Sequence, residues 1–412
     1  MDSYSLTGGV IATPHRILTA GCLSVQANRI VSLSKSETRV FDLGGVSMVY
    51  PALINVHDHL RGNYLPRVGP KPGSFYLNWL PWDNDLKSSP TYSERSNLSV
   101  ENLYFLSAYK NLFSGVTTVN DHFPHELNRE LLPRLPIRAF QEYCLAHECS
   151  SFDLKWGEGI EIEHKRALER DWPFITHLEE GFDPESQDGV GVLDRLGALD
   201  SHCLLIHCIG LSDADVARIA ETGASVSWCP GSNLFMFNAT CKIRKLLEAG
   251  VNISIGTDST HTGSANLLAE LRLARETYRN LYGEELSAKV LTEMVTVNPA
   301  KAFRMADRLG SLEEGKLADL LVVKARNDDV YENLASAAME DIELLVMEGR
   351  PLYGEERFMG LLGDSLPSGY TMVTVAGRRM FVIGDPSGLY SEVRKKVGFG
   401  KVLDYLPFEV GA

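Results

Sequence analysis

Apolar runs of strand length alternate with amphipathic stretches through the middle of this 412-residue chain. Seven such runs lie between residues 51 and 256, and the stretches between them, such as 213–222, have helical spacing. Continuous apolar strands of this kind are typical of parallel βα units that helices cover on both faces. The pattern therefore predicts an α/β fold with a barrel-like core.

The two ends of the chain have a different sequence pattern. Short β-branched runs separated by glycines fill the first fifty residues, and turn-then-strand patterns return near residue 311. Such patterns are typical of antiparallel sheets. We expect one composite β-sandwich domain, made of residues 1–50 and of residues 306–412 with a C-terminal extension. The barrel-like α/β core, residues 51–305, is then inserted between its two parts.

Charge and cysteine usage limit the class of protein. The formal net charge is −14, which argues against nucleic acid or an anionic membrane as the main partner. No apolar run reaches the roughly 18–20 residues of a membrane helix, and the first residues lack the features of a signal peptide. The seven cysteines show no CxxC spacing. We therefore expect reduced thiols and a cytoplasmic location.

The first candidate for chemistry is a His-x-His motif at the end of an apolar run. His57 and His59 lie on the same face of the predicted strand, because side chains alternate with period two. Two imidazoles on one face form half of a zinc or iron site. The alternative is a pair of ordinary surface histidines. Asp58, between them, points to the opposite face, and we expect it to have a structural role.

Three later apolar runs also end in a residue that can bind metal or move a proton: His177, His207 and Asp258. Ionisable groups at such ends cost several kcal/mol unless they are used or paired. Ordinary roles remain as alternatives, such as a hydrogen-bonded core histidine or His207 packed beside Cys208. One shared site explains all three residues more simply than three unrelated roles do.

These residues, in this order, resemble the pattern of the amidohydrolase superfamily of metal-dependent hydrolases. That family has His-x-His on the first strand, histidines on the fifth and sixth, and aspartate on the eighth. Residues 230–233, 297–301 and 310–323 are similar to its flanking motifs. The resemblance covers about residues 5–355. It implies a (β/α)8 TIM-like barrel with a small composite β-sandwich from both termini, and it favours a homodimer.

Glu180, three residues after His177, resembles a glutamate of the aminohydrolase branch, which includes deaminases and chlorotriazine hydrolases. The resemblance implies hydrolytic deamination of a small aminated N-heterocycle by a metal-bound hydroxide. In that mechanism Asp258 accepts the proton, His207 stabilises the adduct and Glu180 protonates the ring nitrogen. Glu179 is interpreted as a neighbour, although a one-residue bend would exchange the two glutamates.

The resemblance also implies the cofactor, which is one divalent metal ion, Zn²⁺ or alternatively Fe²⁺. The residues expected to bind it are His57, His59, His177 and Asp258. Two other functions stay open. The same site could cleave a cyclic amide or displace chloride, and a chain of this fold could be a catalytically inactive scaffold.

The sequence departs from the family pattern before His177, where little room remains for two complete βα units. We expect residues 151–156 to form the fourth strand, with the barrel distorted around it. Lys155 then raises a rival hypothesis, because binuclear relatives use a carbamylated lysine on that strand. Glu180 favours the mononuclear branch.

Several polar and aromatic residues near the predicted strand ends are candidates for substrate binding. Residues 61–82 mix aromatic and cationic side chains, which could stack a planar ring and pair with an anionic group. A lid that packs on the barrel is the equal alternative for this segment. The substrate-binding candidates are Arg61, Trp79, Trp82, His122, Gln141, Trp228 and His261.

Overall fold

The computed structural model describes residues 3–36 and 39–409. Its first five strands are β1 (Tyr4–Ala12), β2 (Ile17–Gln26), β3 (Arg29–Ser32), β4 (Val40–Asp42) and β5 (Ser47–Pro51). β1 pairs with β2 in antiparallel and with β5 in parallel orientation. Every residue of β5 is buried, and its second edge pairs with a strand from the other end of the chain.

Eight parallel strands follow: β6 (Leu53–Asp58), β7 (Val116–Asp121), β8 (Arg138–Ala139), β9 (Cys144–Glu148), β10 (Phe174–Leu178), β11 (Cys203–His207), β12 (Ser225–Trp228) and β13 (Asn252–Ile255). They form a three-stranded sheet, β6-β7-β8, and a five-stranded sheet, β9 to β13, each in chain order. Beside β6, the Asp258 amide donates to the His57 carbonyl oxygen at 3.0 Å. The predicted α/β class with parallel strands at its centre is confirmed.

Thirteen α-helices lie in the described part of the chain: α1 (Trp79–Ser88), α2 (Pro90–Arg95), α3 (Val100–Leu112), α4 (Ile160–Arg170), α5 (Gly189–Arg195), α6 (Asp213–Thr222), α7 (Pro230–Phe237), α8 (Ile243–Glu248), α9 (Leu267–Tyr282), α10 (Ala288–Met294), α11 (Val297–Ala302), α12 (Val330–Ser336) and α13 (Pro386–Val397). In residues 3–36 and 39–409, no helix has the length and apolar character needed to cross a membrane. Burial of whole strands such as β10 and β11 is expected where helices cover a parallel sheet.

The last five strands are β14 (Leu320–Lys324), β15 (Ile342–Met347), β16 (Arg350–Glu355), β17 (Tyr370–Val375) and β18 (Arg378–Ile383). β14 pairs in antiparallel orientation with β5, with Leu320 opposite Pro51. This pairing joins the two ends of the chain in one ten-stranded sheet. The parallel strands are thus inserted between two parts of a single sheet.

The prediction for the fourth parallel strand is wrong. Residues 151–156 form turns and irregular structure, and the strand before His177 is β9. β8 has only two residues, and residues 140–143 connect it to β9 without a helix. Two strands therefore fit into a segment that is too short for two complete βα units. Lys155 lies outside the strand, with its side chain 77% exposed and its Nζ 3.2 Å from Asp153.

Candidate active site

His57 and His59 lie at the carboxyl end of β6, with ring centroids 4.9 Å apart. His57 is fully buried, and neither of its ring nitrogens has a hydrogen-bond partner among the described residues. Burying an imidazole without a partner costs free energy, so an unpaired ring of this kind requires an explanation. A bound ligand at these nitrogens would supply one.

His177 and His207 lie side by side at the ends of β10 and β11, with ring centroids 5.3 Å apart. Nδ1 of His177 donates to the carbonyl oxygen of His147 at 2.8 Å. Nδ1 of His207 donates to Oδ1 of Asn233, the fourth residue of α7, at 2.9 Å. Because both acceptors are oxygens, each ring keeps the Nε2 lone pair for another ligand.

Asp258 follows β13 in the left-handed backbone region, with φ at 54°. Its carboxylate accepts hydrogen bonds from the Ser259 amide at 2.6 Å and from the Thr262 hydroxyl at 2.9 Å. Oδ1 lies 3.9 Å from Nε2 of His57 and 3.7 Å from Nε2 of His59. The left-handed turn thus brings the carboxylate to the two histidines of β6.

These five side chains form two overlapping groups of metal-binding atoms. Within each group, the atoms lie within 4.8 Å of one another; the groups are His57, His177 and His207, and His57, His59 and Asp258. Burial lowers the pKa of His57 and of His177 well below the usual range, which keeps both rings neutral, the form that binds metal. Imidazoles with one carboxylate suit zinc and iron alike. The donor set therefore fits a divalent metal ion.

The two glutamates after His177 lie in different surroundings. Oε1 of Glu180 is 3.6 Å from Nε2 of His207, and burial, with Asp258 nearby, raises the pKa of Glu180 well above its usual range. A buried carboxyl with a raised pKa can hold a proton at neutral pH. Glu179 instead accepts a hydrogen bond from the Val190 amide in α5 at 3.1 Å. Of the two, Glu180 therefore faces the cluster.

A buried ion pair supports the backbone that carries the cluster. The fully buried ammonium group of Lys110, in α3, donates to Asp58 at 3.0 Å and to the side-chain oxygens of Asn63 and Thr257. It also donates to the backbone carbonyl of Asp258 at 3.1 Å. Asp58 thus has a structural partner on the face of β6 away from the histidines, and Lys110 holds the backbone that carries Asp258.

The cluster opens into a cavity of about 540 Å³. Of the candidate metal-binding and catalytic residues, those that line the cavity are His59, His177, Glu180, His207 and Asp258. Four of the predicted substrate-binding residues line it as well: Arg61, Trp79, Trp82 and His261. A concave site of this size with converging polar groups can enclose a small molecule.

The three residues of the segment 61–82 that line the cavity make different contacts with their surroundings. The Arg61 guanidinium lies over the Phe123 ring, with 5.1 Å to the centroid, and Trp82 Nε1 donates to the Val68 carbonyl at 2.9 Å. Trp79 makes an edge contact with His147 at 4.9 Å. The segment from Arg61 to Trp82 thus forms a wall of the cavity and also packs on its surroundings.

His261 is buried at the cavity wall, and its Nε2 accepts from the Arg95 guanidinium at 3.0 Å. Arg95 and Tyr92, from α2, also line the cavity, and sequence reasoning missed both. Neither follows a strand, so the search for polar strand ends had no signal for them. A hydrophobic pattern in a helix does not reveal which of its polar residues faces a site.

Three of the predicted substrate-binding residues do not line the cavity: His122, Gln141 and Trp228. Trp228 is fully buried in the same hydrophobic cluster as Val226, and its Nε1 donates to Thr240 at 2.7 Å. Strand periodicity explains this result, because residues 226 and 228 share one face of β12. Gln141 is half-buried in the short connection after β8.

His122 is fully buried behind the cluster, with its ring centroid 4.3 Å from that of His177 and 5.5 Å from that of His57. Neither of its ring nitrogens finds a hydrogen-bond partner within residues 3–36 and 39–409. The residue therefore contacts the cluster without reaching the cavity surface.

Comparison with known proteins shows what this chain is similar to. The model of the amidohydrolase family matches residues 164–351. A 5-methylthioadenosine/S-adenosylhomocysteine deaminase of Moorella thermoacetica is 33% identical over 173 residues, which are 40% of each chain. A second deaminase of that name, from Archaeoglobus fulgidus, is 28% identical over 370 residues, covering 77% of this chain and 85% of the relative.

Solved structures show the same fold at low identity. An adenosine deaminase from Xanthomonas campestris with bound zinc has a TM-score of 0.72 and 19% identity, covering 95% of this chain and 97% of that one. An atrazine chlorohydrolase from Arthrobacter aurescens with zinc has a TM-score of 0.73 and 19% identity, covering 95% and 99%. The family match, the relatives and the shared fold agree: residues 164–351 match the amidohydrolase family, and most of the chain is similar in sequence to named deaminases and in fold to zinc-bound hydrolases.

Proposed function

We propose that the protein is a metal-dependent hydrolase that deaminates a small aminated N-heterocycle. One observation carries the proposal: a buried carboxyl group with a raised pKa, Glu180, lies beside a cluster of histidines and an aspartate at the floor of one cavity. A protonated carboxyl next to a metal-binding set can donate a proton to a ring nitrogen while water attacks the carbon that bears the amino group.

His57, His59, His177 and Asp258 would hold one divalent metal ion, with Zn²⁺ the preferred cation and Fe²⁺ the alternative. The unpaired nitrogens of buried His57 support this assignment. A divalent ion bound there supplies a Lewis acid that lowers the pKa of a water molecule. The exposed position of Lys155 supports one ion over a lysine-bridged pair.

Asp258 and Glu180 would carry out different proton transfers in the reaction. The Asp258 carboxylate accepts a proton from the attacking water and later delivers it to the leaving amino group. Glu180 donates its proton to the ring nitrogen, so that negative charge does not build up there. Nε2 of His207 has a free lone pair because Nδ1 donates to Asn233, so it would accept a hydrogen bond from the attacking water and from the hydroxyl group of the tetrahedral adduct, and orient both.

Adenine nucleosides are the first substrates to test. The relatives from Moorella and Archaeoglobus are named for 5-methylthioadenosine and S-adenosylhomocysteine, and one from Methanosarcina mazei for 5'-deoxyadenosine. The rings of Trp79 and Trp82 at the cavity wall support stacking of a planar base. We propose that residues 61–82 contact the substrate and help to select it, and do not serve only as a lid.

The finer features of the fold are proposals too. We infer that the two parallel sheets form one (β/α)8 TIM-like barrel, because β6 and β13 lie in contact and the solved neighbours share the fold. We divide the chain into a β-sandwich part at 1–50, the barrel at 51–305, and a second sandwich part with a C-terminal extension at 306–412. A cytoplasmic homodimer is our proposal for the assembly, and the seven unpaired cysteines support a reducing location.

The test is ammonia release from a panel of purine nucleosides, pyrimidines, pterins and triazines, with zinc-loaded enzyme. We expect at least one aminated ring to release ammonia in stoichiometric amounts. Release of chloride or opening of a cyclic amide without ammonia would favour the other hydrolytic functions. Metal binding without hydrolysis of any compound, together with intact folding, would favour a scaffold.

A further inference from the structure

A second group of metal-binding side chains lies at the opposite end of β11 from His207. The group consists of His164 in α4, Asp200, and Cys203, the first residue of β11. One ligand atom from each of these residues lies within 4.8 Å of the other two. Nε2 of His164 is 3.2 Å from Oδ2 of Asp200. Imidazole, carboxylate and thiolate are the ligands that zinc prefers in proteins.

A fourth residue, His202, lies beside Asp200. Nδ1 of His202 lies 3.4 Å from Oδ1 of Asp200, and its Nε2 lies 3.3 Å from a carboxylate oxygen of Asp171. Asp171 is itself held by the Arg304 guanidinium. Histidines that bind metal through one nitrogen usually donate the other N–H to a carboxylate in this way.

The two imidazoles facing Asp200 are not satisfied by protein groups. Nε2 of His164 and Nδ1 of His202 are both buried, and neither forms a hydrogen bond with any described residue. His164 is only 4% exposed. Two buried ring nitrogens that lie beside one carboxylate without a hydrogen bond are costly unless something binds between them.

The group is distinct from the candidate active site. Cys203 and His207 occupy opposite ends of the five-residue strand β11, which places them about 13 Å apart at roughly 3.3 Å per residue. None of the four side chains lines the cavity described above. Any ligand bound here would therefore act on the structure of the protein and not on the reaction.

We propose that His164, His202, Asp200 and Cys203 form a structural site for a second zinc ion. The carboxylate and the thiolate would neutralise the two charges of the cation. Cys203 donates its S–H to the Ala198 carbonyl at 3.1 Å. On binding, the sulfur–metal bond replaces that contact, and the thiol proton passes to solvent. The ion would tie α4 to the start of β11.

Cobalt substitution tests this site directly, because a thiolate ligand gives Co²⁺ a near-ultraviolet charge-transfer band and imidazole or carboxylate ligands do not. We expect chelator-stripped protein to bind two Co²⁺ per chain and to show this band. Cys203→Ser should lose the band and bind one equivalent while keeping its hydrolytic rate within about twofold. Cys144→Ser, which removes a buried cysteine on β9, two strands from β11 in the same sheet, should keep both ions and the band.

His164→Gln keeps the thiol and should also reduce binding to one equivalent. One Co²⁺ per chain and no thiolate band in the unaltered protein would overturn the proposal and leave His164 and Asp200 as an ion pair. That spectrum decides the matter even if Cys203→Ser does not fold. The readout needs no substrate, so its failure is distinguishable from failure of the proposed deaminase activity.

Discussion

Glu179 and Glu180 are adjacent in the chain but have different partners, and the backbone explains the difference. Glu179 has a left-handed backbone, with φ at 51°, and its side chain accepts from the start of α5. Glu180 is then directed to His207. The sequence indicates that one of the two handles a proton, and the turn at Glu179 determines which one faces the cluster.

The substitution Glu180→Gln tests the role of this carboxyl group. Glutamine keeps the shape of the side chain but cannot transfer a proton, so we expect kcat to fall about 10²–10⁴-fold. The metal content should not change, since Glu180 is outside the proposed metal-binding set. Steady-state kinetics with metal analysis on the same samples checks both points. A variant with full kcat would remove Glu180 from the mechanism.

Glu179→Gln is the matched control, and it carries a stability prediction of its own. Burial raises the pKa of Glu179 from 4.5 to about 8. Because the folded pKa lies above the unfolded one, the protonated form stabilises the fold, and this stabilisation is lost as pH rises from about 4.5 to 8. Glutamine does not titrate. We expect similar stability near pH 5 and a more stable variant near pH 9, by on the order of 1–3 kcal/mol.

Denaturant unfolding at several pH values measures this difference, and the activity of Glu179→Gln should stay near that of the unaltered enzyme. A stability gap that does not change with pH would mean that Glu179 is ionised in the folded protein.

Among the elements, α3 is tied to β6 and to the turn after β13 through one lysine. Lys110→Met would leave the buried Asp58 carboxylate without a cationic partner, which typically costs about 3–5 kcal/mol. We expect the double variant Lys110→Met with Asp58→Asn to recover part of that loss, because it removes both charges. Chemical unfolding of the single and double variants measures the coupling.

Because Lys110 also holds the Asp258 carbonyl, both variants should bind the metal more weakly than the unaltered protein. Equal stability of the single and double variants would show that the buried pair is not energetically coupled.

Elements with strong local signals were predictable from the sequence. The predicted helix at 213–222 matches α6, which begins with a capping box between Ser212 and Asp215 and ends at Gly223 in a left-handed conformation. The two-residue strand β8 has no comparable signal, so β9 was assigned to the wrong residues. The side-chain direction of Trp228 depends on the strand register, and the sequence did not determine it.

Within the site, the residues at strand ends could be predicted because an ionisable group after an apolar run is costly without a function. His57, His177, His207 and Asp258 all have this signature. The residues that position these side chains do not have this sequence signature. Lys110 lies 148 residues from the carbonyl it holds, and Arg95 lies 166 residues from His261. Contacts between such distant residues depend on the tertiary fold.

At the scale of the whole molecule, β5 and β14 join the two ends of the chain, and the parallel strands lie between them. The candidate active site follows from this arrangement, because the ends of parallel strands meet where β6, β10 and β11 carry their histidines. The fold positions the donors, and the loops and α1–α2 supply the cavity wall.

The central claim is that this cluster hydrolyses an aminated ring with the help of a bound divalent metal. Ammonia release from adenine nucleosides and the wider ring panel, measured on one preparation before chelation, after chelation and after zinc is restored, tests it most directly. We expect release to cease on metal removal, to return with zinc, and to stay about 10²–10⁴-fold lower in zinc-loaded Glu180→Gln. Release that persists without metal, or its absence with every aminated ring, would contradict the account.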